Sequence, residues 1–326
     1  MTLLLSRADI SGLMRPADYL EAVATGLCAG EAGGAAAPAP MALAGRGGTF
    51  HAKGASLQLE RPWAALKLNG NFPGNPPALP TIQGAILLCD GENGALLAVM
   101  DSIEVTLRRT AAATALAARF LARPGSHSLL VCGCGAQGEA QLEALAEILP
   151  LRRCFAWDLD FAKAEALAAI ARRRGLDARP VREMADAARA SDVIVACTTA
   201  REPYLMPGDA GPGCFVAAVG ADSPDKNEVH PALMGAARVV VDRLEQCLAM
   251  GDLRHAVGAG AMRAGDVHGG LGAIVSGAAP GRTDDDQIFV FDSTGTALQD
   301  VAAAAAIYAR ARRRGGYATF AFGNGG

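Results

Sequence analysis

Three glycines at a fixed spacing follow an apolar segment near the middle of the chain. LLVCGCGAQGEAQ, residues 129–141, contains Gly133, Gly135 and Gly138 as G-x-G-x-x-G. The apolar residues before the glycines predict a strand, and leucines at helical spacing after them predict a helix. A strand, this turn and a helix together form the start of a βαβ unit, so the segment predicts a dinucleotide-binding turn.

Each glycine of the turn has a physical task in that prediction. Gly133 allows the tight turn, Gly135 lets the backbone approach a pyrophosphate, and Gly138 lets the helix lie close to the strand. The helix N-terminus then offers free N–H groups to the anion. The alternative is that the glycines serve only a tight turn.

An acidic residue follows the next predicted strand, where such units bind the ribose. Asp158 lies near the expected offset of about 20 residues from the glycines. Its carboxylate would accept hydrogen bonds from both ribose hydroxyls and repel a 2′-phosphate, which favours NAD(H) over NADP(H). Asp160, two residues further on, is an alternative for the same role.

Strand and helix patterns alternate from Ser128 to about residue 294. This alternation predicts an α/β fold with a doubly wound parallel sheet of the Rossmann type, covered on both faces. The helix predicted at 297–314 follows the last strand and is expected to return to the first domain. We therefore predict an NAD-binding domain at 121–297 and a discontinuous α+β substrate and dimerisation domain at 1–120 with 298–326.

The first domain reads as strands and helices around a proline-rich segment. FPGNPPALP, residues 72–80, cannot be a regular strand, because its prolines lack the N–H donors of a ladder. GAILLCD and LLAVMDS, joined by GENG, predict a hairpin. TAAATALAARFLA, residues 110–122, predicts a helix that ends before Pro124.

Charge and cysteine content exclude several classes of function. The formal net charge of −3 gives no positive field for nucleic acid. The eight cysteines are scattered without a C-x-x-C pair, which predicts neither a disulfide framework nor a metal site. The N-terminus lacks the pattern of a signal peptide, and no apolar run reaches the roughly 18 residues that span a bilayer. We expect a cytoplasmic protein without membrane or nucleic-acid partners.

A cluster of ionisable residues follows one of the predicted core strands. In AAVGADSPDKNEV, residues 217–229, the strand ends in glycine and leads directly to Asp222. Loops at the carboxyl edge of a parallel sheet flank the ligand, so Asp222 could transfer a proton to or from a substrate. Alternatively Asp222 caps a short turn, and Lys226 pairs with Glu228 on the surface.

The first domain contributes candidate cations. Lys67 lies inside the apolar segment ALKLN, so it is either on the solvent face of an edge strand or a buried ammonium that binds a carboxylate. Arg108 and Arg109 precede the helix predicted from Thr110, where a cation opposes the helix dipole. An anion bound by Arg109, the Thr110 hydroxyl and first-turn N–H groups would explain that placement. A solvent-facing arginine is the alternative.

Taken together, these segments resemble one family of enzymes. Lys67, NFPGNPPALPT, RRTAAATALAA, GCGAQG, VGADSPDKNEV and FDSTGTALQD occur in order between about residues 38 and 314. The combination resembles the ornithine cyclodeaminase/mu-crystallin family. The resemblance implies a homodimer that pairs through the discontinuous domain, with NAD(H) or NADP(H) bound in the Rossmann domain.

The same resemblance implies a role for individual residues. Asp222 and Lys67 would be catalytic, with Asp222 the acid/base and Lys67 on the substrate carboxylate. The implied substrate-binding residues are Arg109, Lys53, Thr81 and Lys226. The implied cofactor-binding residues are Thr110, Gly133, Gly135, Ala136, Gln137, Gly138, Asp158, Thr198, Val219, Ser293 and Thr294.

The implied activity is NAD-dependent hydride transfer at the Cα of an L-amino acid through an imine, as in a cyclodeaminase or amino-acid dehydrogenase. The alternatives are a reductase of cyclic imines such as pyrroline- or piperideine-2-carboxylate, and a non-catalytic small-molecule binder. Two positions depart from the family pattern: Met41 stands near an expected basic residue, and His51 aligns with the cyclodeaminase glutamate. Asp222 is absent from many imine reductases of the family, so its presence favours the first reading.

Overall fold

The computed structural model describes residues 1–322, which form two compact units. The first contains residues 1–109 and the segment from Thr296 onward, and the second contains Thr110–Gly295. Within residues 1–322, no helix is both long and apolar enough to cross a lipid bilayer.

The first unit is built on a mixed, mostly antiparallel sheet with helices on one face. Its strands are β1 (Thr2–Leu5), β2 (Ala35–Ala36), β3 (Met41–Gly45), β4 (Gly48–Gln58), β5 (Pro62–Asn71), β6 (Ile82–Asp90), β7 (Leu96–Asp101) and β16 (Thr319–Phe320). Its helices are α1 (Arg7–Ser11), α2 (Pro16–Glu31), α11 (Ala297–Arg314) and the first part of α3 (Ser102–Leu121).

The strand order in this sheet is β16-β1-β7-β6-β5-β4-β2, with β3 paired to β4. Helix α11 packs on β4, β5 and β6 and against α2. The pleat places alternate residues on opposite faces, so one face of β5 lies under α11 and carries Lys67, while the other carries exposed Leu66 and Leu68. The predicted hairpin is confirmed as the antiparallel pair β6–β7.

The second unit is a parallel sheet of eight strands with helices along the connections. The strands are β8 (Ser128–Cys132), β9 (Arg153–Trp157), β10 (Asp177–Pro180), β11 (Val193–Ala196), β12 (Phe215–Ala218), β13 (Arg238–Val241), β14 (Gly269–Gly270) and β15 (Phe289–Asp292). The helices are α4 (Ala136–Ala146), α5 (Phe161–Arg173), α6 (Met184–Arg189), α7 (Pro231–Ala236), α8 (Leu244–Ala249), α9 (Asp252–Gly258) and α10 (Leu271–Val275), with a 3₁₀ turn at Ala264–Asp266.

The strand order β10-β9-β8-β11-β12-β15-β13-β14 confirms the doubly wound Rossmann-type sheet. The chain order reverses between β8 and β11, which makes the carboxyl ends of these two strands the topological switch point. Every residue of β8, β11, β12 and β15 is buried, as expected for strands covered on both faces.

One predicted boundary is wrong. The helix expected from Thr110 begins eight residues earlier, at Ser102. Asp101 Oδ1 accepts hydrogen bonds from the main-chain N–H groups of Ile103 and Glu104, so this aspartate caps the first turn. Arg108, Arg109 and Thr110 therefore lie inside the helix rather than at its start.

Candidate active site

The glycine turn has the geometry that its sequence predicts. Gly133 has φ +96°, a left-handed conformation that favours glycine. A Cβ at Gly138 would lie 2.2 Å from the Gly133 carbonyl oxygen, so only glycine allows α4 this close to β8. Gly135 is the N-cap of α4, and a Cβ there would meet no atom within 4 Å. The turn thus leaves open space before a helix N-terminus that begins with Ala136 and Gln137.

Two neighbouring aspartates after β9 accept hydrogen bonds from different parts of the main chain. Asp158 Oδ2 accepts a hydrogen bond of 2.8 Å from the main-chain N–H of Cys134, within the glycine turn. Asp160 Oδ1 instead accepts from the Ala162 N–H and caps α5. The capping role accounts for Asp160, and Asp158 is the carboxylate tied to the turn.

A buried glutamate joins the loops that follow β11 and β12. Glu228 Oε1 accepts hydrogen bonds from Thr198 N–H (2.6 Å), the Thr198 hydroxyl (2.7 Å) and the Tyr204 hydroxyl (2.8 Å). Its Oε2 accepts from the Gly220 N–H at 2.8 Å. Glu228 is fully buried, which raises its pKa, although these hydrogen bonds oppose the shift. It fixes the strand ends at Thr198 and Gly220, two residues before Asp222.

Asp222 is an accessible carboxylate paired with a lysine. Its side chain is 57% exposed, and its Oδ1 accepts from Lys226 Nζ at 2.5 Å. The interpretation that Lys226 pairs with Glu228 is therefore wrong, because Glu228 is buried among main-chain and hydroxyl donors. An exposed carboxylate can accept a proton from a bound ligand. While Asp222 is ionised, the neighbouring Lys226 ammonium compensates its negative charge.

Two further carboxylates, those of Asp252 and Asp292, are buried in the second unit. Asp252 Oδ1 accepts from the N–H groups of Glu228 (2.7 Å) and Val229 (2.9 Å). Asp292, at the end of β15, accepts from the Leu253 N–H at 2.9 Å. Burial, and then the Glu228 charge, raise the pKa of Asp252 to about 7. Asp252 therefore anchors the main chain that carries Glu228, and Asp292 anchors the first residues of α9.

In the first unit, Lys67 is a buried ammonium rather than part of a solvent-facing edge. Its residue is 4% exposed, on the face of β5 that α11 covers. Lys67 Nζ lies 2.7 Å from Asp300 Oδ2 and donates to Thr106 Oγ1 at 3.2 Å. Burial lowers the pKa of Lys67 to about 8, while the Asp300 charge opposes this shift.

Arg109 converges on the same aspartate. Its Nε donates to Asp300 Oδ1 at 3.0 Å, and its Nη1 donates to Gln299 Oε1 at 2.8 Å. Burial alone would raise the pKa of Asp300, but the charges of Lys67 and Arg109 outweigh it and lower that pKa. We call Lys67, Arg109, Gln299 and Asp300 the cationic cradle.

The prediction that Arg109 lies at a helix N-terminus and binds an external anion there is wrong. The helix dipole does not explain its position, because Arg109 lies in the interior of α3. Thr110 also lies inside the helix, so its N–H is not a free first-turn donor. The carboxylate that accepts from the Arg109 guanidinium is Asp300 of the same chain.

The other predicted residues have the following surroundings. Lys53 of β4 is directly opposite Lys67 in the sheet. Val219 follows β12 and is buried, and Thr81 precedes β6, where its carbonyl accepts from the Phe72 N–H. The hydroxyls of Ser293 (3.0 Å) and Thr294 (3.2 Å) donate to the Asp242 carboxylate. The roles of these residues stay predictions.

Sequence reasoning missed Asp300, Glu228, Asp252 and Asp292. Asp300 lies in the first turn of α11, where an acid is expected from the helix dipole alone. The position of Asp292 could have been recognised from the sequence. A carboxylate at the end of a core strand is buried and therefore needs hydrogen-bond donors. Glu228 lies in the quoted loop, but only the fold shows that it turns inward.

Several known proteins are similar to this chain over most of its length. A model of the ornithine cyclodeaminase/mu-crystallin family matches residues 1–315. Alanine dehydrogenase of Archaeoglobus fulgidus is 34% identical over 311 residues, 95% of each chain. A solved archaeal alanine dehydrogenase dimer with bound NAD has a TM-score of 0.94 and 34% identity, covering 98% of this chain and 99% of that one. The Δ¹-pyrroline-2-carboxylate reductase of Thermococcus litoralis, solved with NADH and L-proline, has a TM-score of 0.93 and 28% identity, covering 98% of this chain and 100% of that one.

Proposed function

Since the chain belongs to the ornithine cyclodeaminase/mu-crystallin family, we propose that it is an NAD(H)-dependent enzyme acting on an amino acid or its imine. The reaction is hydride transfer at the Cα of an L-amino acid, with an imine as intermediate. The observation that carries the proposal is the joint presence of the cationic cradle, the accessible Asp222 and the open glycine turn.

The residues of the glycine turn fit a dinucleotide. The space in front of Gly135 would accept a pyrophosphate, and the first N–H groups of α4, at Ala136 and Gln137, would donate to it. Asp158 is held by the turn and would accept hydrogen bonds from the ribose hydroxyls. When bound, the nicotinamide accepts a hydride from Cα or donates one to it.

In the proposed mechanism, Lys67 and Arg109 bind the substrate α-carboxylate. Asp222 removes a proton from the α-ammonium, so the nitrogen lone pair assists departure of hydride from Cα. The product is an imine, which water hydrolyses to a keto acid and ammonia in a dehydrogenase. In a cyclodeaminase an internal amine attacks the imine carbon, ammonia leaves, and the hydride returns to the resulting cyclic imine. Lys226 compensates the charge of Asp222 before the proton arrives.

The reverse direction is the second candidate function. It is favoured by the likeness to the pyrroline-2-carboxylate reductase solved with NADH and L-proline. In that direction the cradle binds the carboxylate of a cyclic imine, and Asp222 returns a proton to nitrogen. The same residues can serve both directions, because removal of hydride from Cα and its return to an imine carbon are the forward and reverse of one type of step.

A panel of substrates tests the proposal. Ornithine, lysine, alanine and pyrroline- and piperideine-2-carboxylate are each supplied with NAD⁺ or NADH. Release of ammonia without net NADH marks a cyclodeaminase, and a stoichiometric change in NADH marks a dehydrogenase or reductase. NADH binding, measured by fluorescence, without turnover of any member would contradict the proposal and favour a non-catalytic binder.

Replacing Asp158 is expected to weaken the preference for NAD(H) over NADP(H). In Asp158→Ser the hydrogen bonds to the ribose and the repulsion of a 2′-phosphate are both lost. We expect the ratio of kcat/KM for NADH to that for NADPH to fall about 10- to 100-fold, the range for losing hydrogen bonds to a charged group. Initial rates with both cofactors at fixed substrate measure this ratio.

Asp160→Ser is the matched control for Asp158→Ser. It removes the same charge two residues away, and serine also caps a helix N-terminus. Its cofactor ratio should stay within about twofold of wild type. An equal fall in both variants would mean that general charge, rather than a ribose contact, sets the preference.

We propose that the first unit also pairs two copies of the chain. The face of its sheet opposite α11 exposes large apolar side chains, whose burial stabilises association. They are Met41, Leu43, Phe50, Leu66, Leu68 and Leu87. The archaeal alanine dehydrogenase that the chain resembles was solved as a dimer.

Leu66→Glu is expected to convert the dimer to a monomer. Leu66 is 48% exposed and lies directly opposite Leu87 in the sheet, so the new charge would be buried without a partner. Size-exclusion chromatography with light scattering measures the mass. Leu159→Glu makes the same change on a leucine of the second unit that is 92% exposed, and should leave the mass unchanged. A dimeric Leu66→Glu protein would contradict this interface.

We propose a cytoplasmic location for the protein. All eight cysteines are free thiols, and five of them are buried. Free thiols throughout a chain are typical of a reducing compartment.

A further inference from the structure

The bridging position of Asp300 in the cationic cradle has a consequence for substrate binding. Its two carboxylate oxygens are shared between two cations: Oδ2 lies 2.7 Å from Lys67 Nζ, and Oδ1 accepts from Arg109 Nε at 3.0 Å. All three side chains are at most 5% exposed. A buried carboxylate with one oxygen on each cation fixes both the distance and the orientation between them.

We propose that Asp300 is the positioning residue of the cradle, holding Lys67 and Arg109 so that their remaining N–H donors face one substrate carboxylate. This inference rests on the proposed function, in which those two residues bind that carboxylate. Asp300 itself does not touch the substrate.

The donors that Asp300 leaves unused support this role. The guanidinium of Arg109 gives Nε to Asp300 and Nη1 to Gln299, and within residues 1–322 the structure shows no protein acceptor for Nη2. Lys67 has three N–H donors, and its ion pair with Asp300 and its hydrogen bond to Thr106 occupy at most two of them. Both cations therefore keep donors for a ligand while Asp300 and its neighbours fix their geometry.

The charges around Lys67 also support a positioning role for Asp300. The charged groups that act on Lys67 are Asp300 from α11, Arg109 from α3 and Lys53 from β4. Two of them are cations, so Asp300 is the one negative charge among them. Without it, three neighbouring cations would repel one another, and the buried ammonium of Lys67 would lose its proton more readily.

The first experiment observes Lys67 directly and needs no turnover. The chain has four lysines, at positions 53, 67, 163 and 226, so protein labelled with ¹³C at lysine Cε gives few signals to assign. In wild type, the Lys67 signal should titrate with a pKa of about 8. In Asp300→Asn it should titrate at clearly lower pH, because the stabilising charge is gone. An unchanged titration would overturn the proposal.

The second experiment uses the substrate that turns over fastest in the panel. In Asp300→Asn we expect KM to rise about 10- to 100-fold near pH 7.5, the range for losing charge-assisted hydrogen bonds, with a smaller change in kcat. The difference in KM should shrink toward pH 6, where Lys67 regains its proton. A lower KM in the variant would show that Asp300 competes with the substrate, and would overturn the proposal.

Two further variants separate charge from orientation and folding. Gln299→Leu removes an acceptor from Arg109 without changing charge, so KM should rise modestly while the Lys67 titration stays in place. Asp90→Asn makes the same substitution at another paired carboxylate of this unit, one that pairs with Arg61, and should move neither quantity. A Lys67 shift in Asp90→Asn equal to that in Asp300→Asn would overturn the specific role of Asp300.

The two proposals can fail separately. If wild type turns over no member of the panel but the Lys67 titration moves in Asp300→Asn, the proposed function fails and the coupling of Asp300 to Lys67 stands. If wild type is active and the titration and KM are unaffected by Asp300→Asn, the proposed function stands and the positioning role fails.

Discussion

Asp222→Asn is expected to lower kcat by roughly 10²- to 10⁴-fold, the usual contribution of a general acid or base. The amide has nearly the shape of the carboxylate but cannot take a proton from the substrate amine. NADH affinity should stay the same, since the glycine turn and Asp158 are unchanged. Steady-state kinetics and NADH fluorescence titration measure the two quantities.

A matched control lies in the same loop. Asp225 is three residues further on, accepts from the Ser223 hydroxyl at 2.7 Å and pairs with Arg201 at 3.1 Å. Asp225→Asn removes the same charge without removing the proposed acid/base, so kcat should change by less than about threefold, since exposed pairs contribute little. A kcat of Asp222→Asn close to wild type would remove the acid/base role.

The Rossmann unit was predictable because its signals are local. Gly133 and Gly138 each meet a steric demand of the turn, and the alternation of strands and helices then predicts the sheet. The start of α3 was missed because Ile103, Val105 and Thr106 are β-branched and lower the helical signal. Asp101, which caps the helix, was the available signal for the true start.

The candidate site was only half predictable, for a different physical reason. Lys67 stands out in sequence because a charge inside an apolar strand is unusual. Its partner Asp300 lies more than two hundred residues away on an alanine-rich helix, where an acid near the N-terminus needs no explanation. Pairing of this kind depends on how α11 packs on β5, which local patterns do not contain.

The buried acids of the second unit make stability depend on pH in an unusual direction. Asp252 is fully buried, with its Oδ1 on two main-chain N–H groups and its Oδ2 without a hydrogen-bond partner among the described residues. Burial and the Glu228 charge raise its pKa from 3.8 to about 7. Burial, and then the Asp252 charge, also raise the pKa of Asp292 well above its ordinary value.

The direction of this pH dependence follows from the linkage between proton binding and folding. A carboxyl whose folded-state pKa exceeds its unfolded-state value binds protons more tightly when folded. Its contribution to stability is complete below about pH 4 and is lost as pH rises toward 7. The free energy of unfolding of the second unit should therefore fall between pH 5.5 and pH 8.

Asp252→Asn is expected to remove much of that fall. The amide oxygen can still accept from Glu228 and Val229, while the amide nitrogen replaces the oxygen that has no hydrogen-bond partner. At pH 8 the variant should be more stable than wild type by on the order of 2 kcal/mol, and near pH 5 the two should converge. Urea unfolding measures this, with Trp157 fluorescence reporting the second unit in a Trp63→Phe background.

Asp192→Asn provides a control of opposite sign within the same unit. Burial alone would raise the pKa of Asp192, but hydrogen bonds from His127 and Ser128 outweigh it and lower that pKa. Since its carboxylate is ionised throughout pH 5.5 to 8, the substitution should cost stability at both ends of that range and should bring no gain at pH 8. If Asp252→Asn instead destabilised the unit equally at pH 5.5 and pH 8, Asp252 would be an ionised anchor and not a protonated one.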